Sequence, residues 1–176
     1  MKIIRCLSLV AGILALGAGL PVFAVDNQQV TVTASIPVMM NLTVDVSTVT
    51  FAFTQSDYAA DGTGTKEVTN ATTLKVASNT RWILEAQSDS SIFSYTAGTS
   101  GVANPNKSCG DLLLRANAAA AYLPVTILNQ ELIRGEAGGN TTAGNSIPVS
   151  YKLNTTAAGD PPGSYVLTLT YTLVAQ

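Results

Sequence analysis

Residues 164–175 read Ser-Tyr-Val-Leu-Thr-Leu-Thr-Tyr-Thr-Leu-Val-Ala, and large side chains fall on every second position: Tyr165, Leu167, Leu169, Tyr171 and Leu173. Thr168, Thr170 and Thr172 take alternate places between them. Successive side chains of a β-strand point to opposite faces, so this pattern gives one buried and one wet face. Pro161, Pro162 and Gly163 stand just before it, which makes the approach a turn. A terminal strand this regular predicts a long, central strand against which earlier strands pack.

The same period recurs along the chain. Residues 28–36 place Val30, Val32, Ala34 and Ile36 on one face, with Thr31, Thr33 and Ser35 on the other; Pro37 ends or bends the strand. Met40, Leu42, Val44 and Val46 continue in phase, and Val49, Phe51 and Phe53 predict a third strand. Residues 66–78 turn Val68, Thr72, Leu74 and Val76 inward, and residues 81–87 place Trp82, Leu84 and Ala86 on one face. Shorter strands are expected at 92–95, 111–116 and 122–128, where Pro124 limits the last to an edge or a bulge, and around Leu132 and Ile133. Ile147, Val149, Tyr151 and Leu153 mark another strong strand. No helical periodicity exceeds a turn. The reading is an all-β chain, an immunoglobulin-like β-sandwich of two antiparallel sheets.

Residues 1–24 have the layout of a secretory signal peptide. Lys2 and Arg5 precede an uncharged, mostly apolar run over 7–20, and Val22-Phe23-Ala24 offers a small-x-small cleavage site. The run is short for a bilayer span, which needs roughly 20 apolar residues. The expectation is a mature domain over 25–176, secreted to a bacterial cell surface, with no membrane span after cleavage. Cys6 falls in the leader, so only Cys109 remains and no internal disulfide can form. Cys109 is either a small buried or loop residue or the donor of an intermolecular disulfide.

The chain contains no histidine. That removes the commonest general base near neutral pH, the usual catalytic triads and the commonest zinc ligand. No catalytic residue, cofactor or metal centre is expected, and the chain reads as a non-enzyme. The net charge is −2, and two of the nine basic residues lie in the leader, so the mature chain is more acidic still. That argues against nucleic acid as a partner. Asp57 and Asp61, with Gly62 and Gly64, form a loop that either surrounds a calcium ion or uses Asp and Gly for turn geometry; the spacing misses the EF-hand pattern and favours the turn.

Two family resemblances follow from short motifs. Trp82-Ile83-Leu84 within a strand, and Gly163-Ser164-Tyr165 followed by Tyr171-Thr172-Leu173, resemble WxL-type cell-surface domains, with Tyr171 where that family has its second Trp. The resemblance implies a secreted domain held non-covalently by a cell-envelope polymer or by other surface proteins, with Trp82, Leu84, Tyr171 and Leu173 as contact residues. The stretch 25–35, Val-Asp-Asn-Gln-Gln-Val-Thr-Val-Thr-Ala-Ser, is similar to the N-terminal strands of alpha-type fimbrial pilins. That resemblance implies a homo-polymer in which Val30, Val32, Ala34 and Ile36 fill a groove of the next subunit. A third reading, a carbohydrate-binding module, would draw on Tyr58, Tyr95 and Tyr122.

Overall fold

The computed structural model describes residues 29–99 and 102–176. The expected leader, its cleavage site and Gln28 lie outside the described residues. The described residues fall into two units, 29–35 and Ile36–Gln176.

The second unit is all-β and every strand pair is antiparallel. Its strands are β1 (Met40–Val44), β2 (Thr63–Ser78), β3 (Trp82–Ser88), β4 (Ser94–Ala97), β5 (Leu112–Ala116), β6 (Leu123–Pro124), β7 (Gln130–Gly135), β8 (Ser146–Thr156), β9 (Gly163–Val166) and β10 (Leu169–Ala175). They form a five-stranded sheet β1-β2-β8-β5-β6, a three-stranded sheet β10-β3-β7 and a two-stranded ribbon β4-β9. Three groups therefore replace the two sheets expected.

The period-two pattern decides which side chains meet. Leu74 and Val76 of β2, Leu114 of β5, and Ile147 and Val149 of β8 are buried from the larger sheet. They join Trp82, Leu84 and Ala86 of β3 in one core cluster, giving a sandwich-like arrangement. Each aliphatic side chain buried this way contributes about 1.5–3 kcal/mol relative to exposure. The indole Nε1 of Trp82 donates to the Glu136 carbonyl at 2.9 Å, so its one polar atom is satisfied inside the core. Gly135, opposite Trp82 in the ladder, has no choice of side chain: a Cβ there would sit 1.9 Å from the indole.

Four expectations need correction. Residues 29–39 form no strand, although 28–36 alternate cleanly; alternation sets the faces, but a strand also needs an edge to receive its N–H and C=O groups. Val49, Phe51 and Phe53 belong to no strand either; they pack as partly buried side chains of a segment outside any ladder. The last strand is broken in two. Thr168 N donates to the Asp89 side chain, 3.3 Å from Oδ1, where a ladder would use a strand carbonyl, while Asp89 N still donates to the Thr168 carbonyl at 3.1 Å beside the Leu169–Ser88 pair. Before that break the chain pairs with β4, and after it with β3. Finally, β10 is an edge strand, not a central one.

Candidate functional site: an apolar groove beside a free sheet edge

The inward phase of the last stretch is as the alternation predicts, but its burial is incomplete. Tyr165, Leu167, Leu169, Tyr171 and Leu173 are all only half-buried, against full burial of Trp82, Leu84 and Ala86 in the neighbouring strand. The uncovered face opens into a cavity of about 1110 Å³. One wall is β9 and the start of β10; among the described residues β10 has a strand on one edge only. A second wall is drawn from the stretch 44–55 and includes Val49, Phe51 and Phe53. Thr72, Phe93, Leu112, Tyr151 and Leu153 form the floor.

Both walls carry unused backbone capacity. The 44–55 wall is tied to β2 at three points: Asp45 N donates to the Thr73 carbonyl at 3.2 Å while its Oδ1 accepts from Thr73 N at 2.6 Å, the Val46 carbonyl accepts from the Thr72 hydroxyl at 3.3 Å, and the Ala52 carbonyl accepts from Lys66 Nζ. Residues 47–53 then run without a ladder partner. The groove thus combines apolar side chains with a segment, 47–53, outside any ladder and with a strand, β10, that among the described residues is paired on one edge only.

The polar groups of the groove are held at its floor and one end. Tyr151 and Tyr171 share a hydroxyl–hydroxyl hydrogen bond of 2.8 Å, and burial pushes the Tyr171 phenol well above its ordinary value. At the far end Lys107, with a side chain only 3% exposed, places Nζ 2.9 Å from Asp160 Oδ2, 3.1 Å from Asp111 Oδ2 and 2.7 Å from the Asn154 carbonyl. All three ammonium donors are used. Burial pushes the Asp160 carboxyl up, but Lys107, Thr156 N–H and the Thr155 hydroxyl outweigh it and hold the group below its usual range. Burial likewise raises Tyr165 to about 12, with the Asp160 charge adding to it.

The Gly-Ser-Tyr motif has a packing role. A Cβ at Gly163 would lie 2.4 Å from the Tyr95 ring, and Tyr165 packs against that ring, tilted by 44° with 4.9 Å between centroids. The two tripeptides Trp82-Ile83-Leu84 and Tyr171-Thr172-Leu173 come together in adjacent strands: Leu84 stands opposite Leu173, and Tyr171 opposite Ala86. Trp82 and Leu84 are fully enclosed, whereas Tyr171 and Leu173 keep some exposure. Val30 and Val32 are each 86% exposed, Ala34 is exposed and Ile36 is 75% exposed.

Tyr58, Tyr95 and Tyr122 do not present a shared bare face. Tyr58 packs on Phe53, Tyr95 on Tyr165, and Tyr122 lies under Arg115 and Lys152 at 4.6 and 5.7 Å. The Asp57–Gly64 loop uses its carboxylates for turns: Asp57 Oδ2 accepts from Thr54 N and Lys66 Nζ, and Asp61 Oδ1 accepts from Thr63 N and its hydroxyl. Cys109 is buried, with Sγ 3.5 Å from the Val125 carbonyl. The half-covered groove is the feature that sequence reasoning missed; the signal was there in Val49, Phe51 and Phe53, which line it together with the last stretch. No protein-family model matches the chain, and no match was found among curated proteins.

Proposed function

We propose that the chain is a secreted, non-catalytic surface subunit that forms homo-polymers by strand donation. In this reading the second unit is an immunoglobulin-like sandwich lacking one strand, and residues 28–36 of another copy supply it. The observation that carries the reading is a pair of complementary lacks within one sequence. Residues 29–36 alternate like a strand but have no ladder, with Val30, Val32 and Ile36 bare. The groove has apolar side chains, one wall outside any ladder over 47–53 and a second, β10, paired on one edge only, with no further strand among the described residues. Nine residues of strand extend roughly 30 Å at about 3.3 Å each.

Donation would put Val30, Val32, Ala34 and Ile36 onto the half-buried aromatic and aliphatic side chains, while Thr31, Thr33 and Ser35 face water. Backbone hydrogen bonds to the walls give such a strand its affinity, and the alternate side chains give it its register.

The test is size exclusion with light scattering on the secreted chain, beside a truncation beginning at Val38 and a Val32→Asp variant. Long oligomers from the parent, with monomers from both variants, are the expected result. A parent that remains a stable monomer would sink strand donation and leave association with an envelope polymer or a glycan as the better reading.

A further inference from the structure

Residues 36–39 join the donor segment to β1, and their side chains are not what holds them. Ile36, Val38 and Met39 are 75%, 62% and 59% exposed. Their backbone is gripped by one residue. Asn79, in the short link between β2 and β3, donates from its own N to the Met39 carbonyl at 3.1 Å. Its side-chain Oδ1 accepts from Met39 N at 2.8 Å, and its Nδ2 donates to the Pro37 carbonyl at 2.8 Å.

The β1–β2 ladder has Met40 opposite Ser78 as its outermost pair. Asn79 continues that ladder to Met39 through its backbone N–H, and its side chain takes Met39 N and reaches on to Pro37. A carboxamide carries an acceptor and a donor in one plane, as a peptide group does, so it can stand in for the next strand residue. Aspartate keeps only the acceptor, and alanine keeps neither. Pro37 has no N–H, so its carbonyl is the one backbone group there that a clamp can take.

We propose that Asn79 is a positioning residue that anchors the root of the donor segment at Pro37–Met39 and so sets how stiffly successive copies are joined. This rests on the strand-donation reading. Asn79 lines no part of the groove, and its bonds go to the backbone of Pro37 and Met39, so its substitution removes no donor side chain and no acceptor side chain.

The test compares parent, Asn79→Ala and Asn79→Asp. Amide exchange at Met39 is read by NMR in the monomeric fraction, and filament persistence length by electron microscopy. Asn79→Ala is expected to raise Met39 exchange about tenfold, the scale of a lost net hydrogen bond, and to shorten the persistence length while filaments still form. Asn79→Asp, which still accepts from Met39 N, should fall between parent and alanine in both readouts. Unchanged Met39 exchange in Asn79→Ala overturns the anchor. Faster exchange with parental stiffness overturns its role in the joint. A parent that never forms filaments sinks strand donation and the joint role together, while Met39 exchange still decides whether the anchor exists.

Discussion

Strands β3 and β10 are neighbours in one ladder, share the same alternation and yet end in different states. Trp82, Leu84 and Ala86 of β3 are completely buried, while Leu169, Tyr171 and Leu173 of β10 are half-covered. Among the described residues β3 has a strand on each edge, β10 on only one. Alternation therefore specifies which face a strand turns inward, and the number of neighbours decides whether that face is finished. The unfinished face lies on the side where a further strand would complete both the backbone pairing and the apolar cover.

The comparison makes unequal demands on the two strands. Leu84→Ala should destabilise the folded monomer by about 2–5 kcal/mol, the cost of a core cavity. Leu169→Ala should cost the monomer about 1 kcal/mol, because part of that side chain already meets water. Denaturant melts of both variants measure the gap; equal costs would erase the distinction between finished and unfinished faces. Leu169→Ala should cost more in assembled material than in monomer if a donated strand covers it.

Gly135→Ala probes β3 from its other side. The added methyl collides with the Trp82 indole, and overpacking of this kind costs about 1–3 kcal/mol. A neutral result in the same melts would mean that Trp82 is free to move, against its complete burial and its bond to Glu136.

Tyr171→Phe keeps the apolar body of β10 but removes the hydroxyl that meets Tyr151. Tyr151 is only 5% exposed, so its phenol loses its one side-chain partner in the interior. About 1 kcal/mol of monomer stability should go. Replacing both tyrosines with phenylalanine should recover part of it; a double variant as unstable as the sum of the singles would show that the pair does not act as a unit.

The smallest effect is expected from acid. Asp160 is held below its ordinary range in the folded chain, so its contribution is complete above the unfolded carboxyl value of about 4 and fades as the pH falls through the lower folded value. The melting temperature of Asp160→Asn should therefore lie below the parent's near neutral pH, and the two should converge as the pH drops. A gap that stays constant down to acid would assign the stabilisation to hydrogen bonds other than the Lys107 pair.

By itself the sequence determined the inward and outward faces. Trp82, Leu84 and Ala86, then Ile147, Val149, Tyr151 and Leu153, lie inward as the period of two requires, because side-chain direction follows from local backbone geometry alone. Asp57 and Asp61 were legible as turn residues for the same local reason. Tertiary structure decided which edges meet. Asp89 takes the backbone of Thr168 and so splits the last strand between two partners, and nothing near Thr168 in sequence announces a residue 79 positions away. Asn79 reaches back 40 and 42 residues to hold Met39 and Pro37. Pairing of strands is a long-range contest for hydrogen-bond partners, and its outcome left β10 with a free edge, residues 29–39 without a ladder and the groove without a cover.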